Sequence, residues 1–203
     1  MSKALKAQLE RIASALERLA PSDCPPVDWL GHAAYVRDMD HTHALSRIEA
    51  PALTLLRGID QQKETVTANV LRLAAGHAAH DMLLWGSRGM GKSALLRASV
   101  ASAAALHPGR IALVQVAAEA LPRLSPLFGE LGRIERQFLV FVDDLGFEQG
   151  DGGGPRALRS WLEGGVEARP RNVRLAVTSN RRAIVSRHLG EQDDPINPRD
   201  VVD

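Results

Sequence analysis

The sequence predicts an α/β protein, a three-layer α/β sandwich with a mostly parallel sheet, preceded by a small helical region. Three observations lead there. Short apolar runs at Met82–Trp85, Ile111–Val116, residues 138–142 and residues 173–177 alternate with longer segments of helical period, the order expected of strand–crossover–strand units. The first run is followed by Gly86-Ser87-Arg88-Gly89-Met90-Gly91-Lys92-Ser93 and then by a helical apolar face, so a G-x-x-x-x-G-K-[ST] turn sits in a strand–turn–helix setting. The run at 138–142 ends in Asp143-Asp144, an acidic pair at the carboxyl end of a strand, where open α/β sheets bind ligands.

The 203 residues suffice for one substantial core. A formal net charge of +1 argues against a protein that coats nucleic acid, though not against a local basic patch. Cys24 is the single cysteine, so no intramolecular disulfide can form. Residues 1–20 lack the apolar stretch of a secretory signal, and no run reaches membrane-spanning length. The expected location is the cytoplasm, with no membrane partner.

In chain order, Leu5, Leu9, Ile12, Leu16 and Leu19 recur at alternating steps of four and three, the seam of an amphipathic helix that packs onto its own domain or onto a partner helix. Pro21, Pro25 and Pro26 end it in a stiff linker. Residues 27–51 read as helical in pieces. Within them Asp38, Asp40, His41 and His43 lie close together, but i, i+2 spacing does not bring two histidines to one helix face. The cluster reads as solvated surface. Residues 1–50 are thus expected to form a helical N-terminal region, and 51–203 the ligand-binding core.

In that core Asp60 is expected to cap a helix with Val66, Val70, Leu71 and Leu73 inward, and Gly76 to stop it. Met82–Trp85 follows as a buried strand, and Ala94, Leu95, Leu96, Ala98 and Val100 mark the helix after the Gly-rich turn. His107-Pro108-Gly109 turns the chain into the strand Ile111–Val116. Residues 121–136 are helical with breaks at Pro122 and Pro126, and 138–142 form a strand covered on both faces. Residues 150–154 make a Gly-rich loop, and Pro155 starts a helix that ends near Gly164. The last buried strand, 173–177, stops at Thr178-Ser179-Asn180.

The residue types at the Gly-rich turn suit a phosphate chain. Gly86, Gly89 and Gly91 let successive backbone N–H groups point inward at phosphate oxygens, and the helix that follows adds the positive end of its dipole. Lys92 reaches the β- and γ-phosphates as a point charge, and Ser93 offers its hydroxyl to Mg²⁺. Leu139-Val140-Phe141-Val142-Asp143 fits the Walker B pattern, so Asp143 is expected to hold Mg²⁺ together with Ser93. Asp144 is then placed to orient or deprotonate an attacking water, and Asn180 to contact the γ-phosphate or that water. The cofactors expected are ATP and Mg²⁺.

The segments G-S-R-G-M-G-K-S, F-L-V-F-V-D-D-L and V-T-S-N-R-R resemble the AAA+ superfamily of P-loop ATPases. L-L-R-G-I-D-Q-Q-K-E, W-L-E-G-G-V-E-A-R-P-R-N-V and T-S-N-R-R are similar to the bacterial family called domain of unknown function 815, over residues 53–203. A more distant likeness is to helicase-loader ATPases of the DnaC and IstB type. The resemblance implies an ASCE-type sheet with ATP and Mg²⁺ at its carboxyl edge. It places the P-loop on Gly86, Ser87, Arg88, Gly89, Met90, Gly91, Lys92 and Ser93, the metal aspartate on Asp143, the adjacent acid on Asp144 and sensor 1 on Asn180. It also lays Gly58 and Ile59 against adenine.

This sequence departs from the superfamily in three places. Asp144 stands where most AAA+ motors have Glu, one methylene longer, which implies slower turnover; Glu148 reads as surface. Ala117-Ala118-Glu119-Ala120 lacks the aromatic-apolar-Gly signature of a threading pore loop. The further strand, arginine finger and small helical lid of AAA+ proteins are not placed by residues up to Asp203, so the expectation is a core lacking its C-terminal lid. Arg181, Arg182 and Arg187 reach a neighbouring subunit's nucleotide or are solvated surface.

Three functional readings follow: an ATPase coupled to conformational change or assembly, a nucleotide-switched loader or adaptor with little turnover, and a DNA-associated ATPase. A homo-oligomer is expected when nucleotide is bound. Arg156, Arg159, Arg169, Arg171, Arg174, Arg181, Arg182 and Arg187 crowd the region that supports the third, but without interleaved aromatics they read as solvated surface or subunit contact.

Overall fold

A computed structural model describes residues 26–39, 41–144 and 170–180. The N-terminal helix and most of its linker, Cys24, Asp40, Glu148, the Gly-rich loop, the helix from Pro155, Arg156, Arg159, Arg169 and everything beyond Asn180 lie outside the described residues.

The strands are β1 (Ala34–Arg37), β2 (Thr42–Leu45), β3 (Met82–Trp85), β4 (Ile111–Val116), β5 (Gln137–Val142) and β6 (Val173–Ser179). The helices are α1 (Asp60–Ala74), α2 (Lys92–Leu106) and α3 (Leu124–Leu131), with 3-10 turns at Leu53–Leu55 and Ala118–Arg123. They build one six-stranded sheet in the order β2-β1-β4-β5-β6-β3. Every pairing is parallel except β1 with β2. The mostly parallel sandwich is therefore as expected.

Period-two alternation along β4, β5 and β6 separates two cores. Val114, Phe138, Val140, Val142, Leu175 and Val177 face α3 and the 3-10 turn before it. Leu113, Leu139, Phe141 and Ala176 face α1 and α2, where Val70, Leu73, Leu95, Leu96 and Val100 meet them. Sheets covered on both sides need such continuous apolar strands, and residues 138–142 are wholly buried.

The structure corrects the helical reading of residues 27–51. Residues 34–45 form a hairpin, and β1 pairs with β4 in the register Ala34↔Leu113 to Arg37↔Val116. The sheet thus crosses the expected boundary at residue 50. The reason lies in the partners β1 finds. Tyr35 is fully buried, its ring 4.6 Å from that of Trp29, which itself sits edge-on to Phe138 at 6.0 Å. Arg136, buried among these, donates from Nη1 to the carbonyls of Trp29 (2.8 Å) and Leu30 (3.1 Å) and from Nη2 to that of Ile111 (3.1 Å). One guanidinium therefore ties the segment before β1 to the start of β4.

Two smaller expectations also change. Asp60 is the first residue of α1 and not its cap; its carboxylate pairs with Lys63 at 2.8 Å, while Ile59 occupies the cap position. Gly76 ends α1 as expected. At φ +79 it completes a double closure, Gly76 N–H to Leu73 O (2.8 Å) and His77 N–H to Arg72 O (2.9 Å), which returns the chain toward β3. The strand β3 is only half-buried, because it stands at the end of the described strand order; Leu83 and Trp85 are 39% and 53% exposed.

Candidate functional site at the carboxyl edge of the sheet

Strand register assembles the site. Parallel pairing sends the carboxyl ends of β3, β5 and β6 to one edge, with Trp85 opposite Ser179 and Val142 opposite Val177. The residue after β3, Gly86, then lies beside the end of β6, and its N–H donates to Ser179 O at 3.2 Å. By the same logic Asp143 falls beside Thr178. Three segments far apart in sequence become neighbours through register alone.

The Gly-rich turn has the backbone its residues predict. Gly86, Gly89 and Gly91 take φ values of +147, +83 and +80, a region L side chains rarely adopt. Ser87, Arg88, Gly89 and Met90 are exposed at its tip. Gly91 is the N-cap of α2 and no side chain caps that helix, so its first amides face the turn.

Lys92 opens α2 and folds back over the turn. Its ammonium donates to Gly86 O (2.7 Å), Ser87 O (2.9 Å) and Asn180 Oδ1 (3.0 Å). Ser93 Oγ donates to Asp143 Oδ1. Asn180 Nδ2 donates to Asp144 Oδ1. Lys92, Ser93, Asp143, Asp144 and Asn180, each singled out in the sequence, thus share one patch, linked by hydrogen bonds directly or through a neighbour.

Gly58 and Ile59 stand apart from that network, in the turn before α1. Gly58 has φ +75, and Ile59 packs against the apolar cluster that contains Leu95 and Leu96 of α2. The histidine cluster remains a surface feature. Asp38 Oδ2 lies 3.6 Å from His43 Nε2, and both side chains are well exposed. Among the described residues no group of three His, Cys, Asp or Glu could hold a metal. Arg174, counted among the basic residues, serves the fold: Nε donates to Ala79 O (2.5 Å) and Nη1 to Val173 O (2.5 Å), and burial lowers its pKa.

Thr178 was not singled out in the sequence. It is buried within β6, donates from Oγ1 to Asp143 Oδ1 (2.7 Å) and accepts from Asp144 N–H (2.8 Å). The available signal is a hydroxyl directly after the run Leu175-Ala176-Val177 and two residues before Asn180; a strand expected to stop at 177 leaves Thr178 outside it.

A family model described as "Protein of unknown function (DUF815)" matches residues 31–203. The chain belongs to this family. The match to DUF815 begins at Gly31, ahead of β1, so the hairpin that joins the sheet lies inside the family's span. A comparison with curated proteins found no match. Among solved structures, the DUF815 chain is similar to C. elegans PCH-2 at 12% identity and TM-score 0.43, over 75% of this chain and 44% of that one. It is similar to DnaI at 19% identity and TM-score 0.43, over 72% and 76%. It is also similar to the Aeropyrum pernix ORC1 protein in complex with DNA, at 17% identity and TM-score 0.45, over 73% and 46%. The chain spans less than half the length of the first and third. Among the described residues of the DUF815 chain, no helix is long and apolar enough to cross a membrane.

Proposed function

We propose that this chain binds Mg·ATP at the carboxyl edge of its sheet and hydrolyses it slowly, with binding coupled to conformational change or assembly. The observation that carries the reading is the convergence of Lys92, Ser93, Asp143, Asp144 and Asn180 on one patch beside the Gly-rich turn. Phosphoryl transfer asks a protein mainly for positioning and for neutralisation of charge. The turn supplies backbone amides, Lys92 a mobile positive charge, and Asp144 with Asn180 a pair able to hold a water by acceptor and donor.

Magnesium fits the donor set. Ser93 and Asp143 offer oxygen alone, the ligand chemistry a hard divalent cation selects, and a serine hydroxyl that donates to Asp143 keeps its lone pairs for an ion. Ser93 and Asp143 would hold the ion, which would supply neutralisation of phosphate charge. Lys92 must leave Gly86 O, Ser87 O and Asn180 Oδ1 to reach a phosphate, which frees the Asn180 amide oxygen to accept from the water; its Nδ2 reaches the terminal phosphate with the hydrogen not given to Asp144. Slow turnover follows from the short Asp144 side chain, already engaged by Asn180.

A switch with little turnover is the second reading, and the closed Lys92–Asn180–Asp144 chain of contacts favours it. Nucleotide-bound oligomers belong to the proposal, as AAA+-type sites are completed by a neighbour. DNA binding has less support, since Arg174 is taken up by backbone carbonyls. Titration calorimetry with Mg·ATP, phosphate release over time, and size exclusion with and without nucleotide separate these readings. Absence of any binding by the folded protein overturns all of them.

A further inference from the structure

We propose that Thr178 is a positioning residue that sets both acids of the site, so that magnesium affinity and turnover depend on a side chain that touches neither nucleotide nor metal. This rests on the Mg·ATP reading above. Thr178 sits within β6 at 1% exposure, after the apolar residues Leu175, Ala176 and Val177. Valine has the same shape and suits a buried strand at least as well. A hydroxyl placed there is unfavourable unless its bonding capacity is used.

Here it is used in both directions. The hydroxyl donates to Asp143 Oδ1 at 2.7 Å, the same oxygen that accepts from Ser93, and accepts from the backbone N–H of Asp144 at 2.8 Å. The second contact falls on a residue with an unusual backbone. Asp144 has φ +48, the one positive φ among the described residues other than glycines. Asp and Asn tolerate that left-handed region better than longer side chains. The amide bond to Thr178 holds the backbone there, and from that position the Asp144 carboxylate accepts from Asn180 Nδ2.

One hydroxyl thereby fixes the side chain of Asp143 and the main chain of Asp144. It also accounts for a short acid in place of Glu: a left-handed residue clipped to β6 favours Asp. Outer-shell partners of this kind orient the groups that hold the metal, and losing one commonly weakens metal affinity or activity by about 10- to 100-fold.

The test uses the full chain with Thr178→Val, which keeps the shape, and Thr178→Ser, which keeps the hydroxyl. Three quantities are read: nucleotide binding in EDTA, the magnesium concentration that half-saturates the ADP-dependent rise in melting temperature, and kcat and KM for phosphate release. For Thr178→Val, nucleotide binding in EDTA should match wild type. Half-saturation by magnesium should move up about tenfold or more, and kcat should fall by at least the same factor with KM for ATP little changed. Thr178→Ser should restore both. Thr178→Ala carries the same readings should the valine variant not fold.

A variant without the hydroxyl that keeps wild-type magnesium dependence overturns the inference, as does a serine variant as impaired as valine. In both cases the Mg·ATP reading stands. A folded wild type that binds no Mg·ATP overturns that reading, and the role of Thr178 with it.

Discussion

Removing the Lys92 ammonium should separate the proposed nucleotide binding from folding. In Lys92→Ala the ligand-free protein loses three hydrogen bonds, to Gly86 O, Ser87 O and Asn180 Oδ1. They lie at a partly exposed turn where water partly replaces the donor, so the loss of about 1–2 kcal/mol should lower the melting temperature by only a few degrees. The bound state loses more. A unit charge about 4 Å from a phosphate oxygen at an effective dielectric near 20 is worth roughly 4 kcal/mol. Breaking the ligand-free contacts before binding offsets about 1–2 kcal/mol of that, given about 0.5–1.5 kcal/mol net per hydrogen bond and partial replacement by water. The remainder, about 2–3 kcal/mol, corresponds to Mg·ATP binding weaker by about 30- to 150-fold. Calorimetric titration of both proteins measures it, with urea unfolding as the control for stability. Wild-type affinity in a folded Lys92→Ala protein refutes the reasoning, because the phosphate then does not lie against α2.

Backbone strain at Asp144 gives a stability prediction independent of nucleotide: Asp144→Gly should be more stable than Asp144→Ala by about 1 kcal/mol in urea unfolding, since only glycine takes φ +48 without cost, while both lose turnover. Arg136→Met should destabilise by about 3 kcal/mol or more in the same assay. It strands the carbonyls of Trp29, Leu30 and Ile111, at about 1–3 kcal/mol for each buried group. Tyr35, the single tyrosine, is held above the ordinary tyrosine value first of all by desolvation. Its folded pKa is raised, so its contribution to stability is intact below about pH 10 and is lost as the pH rises through the folded value. Tyr35→Phe should remove that alkaline slope in a pH series of unfolding curves.

Much of this was legible in the residues. The strand at 138–142 is a continuous apolar run and that at Ile111–Val116 is broken only by Gln115, and a helix opens at Lys92 after three glycines with positive φ. The hairpin was not legible. Its strands are four residues each, Ala-Tyr-Val-Arg and Thr-His-Ala-Leu, too short for a period to declare itself. What makes β1 a strand is a parallel partner nearly eighty residues on and an arginine from the start of β5, both out of reach of any local pattern. Four apolar residues make Met82–Trp85 read as a buried strand; its place at the end of the described strand order leaves Leu83 and Trp85 half exposed.

The residue types of the site are legible without any structure: a turn with three glycines, a lysine and a serine at the helix start, an acidic pair and an asparagine at strand ends. Those follow from turn and helix preferences that act over a few residues. That Thr178 clips both acids, that Lys92 rests on Asn180 and that a hairpin ahead of residue 50 extends the sheet are visible in the folded chain alone. Each depends on which strands lie side by side and in what register, and that is settled by packing between segments distant in the chain.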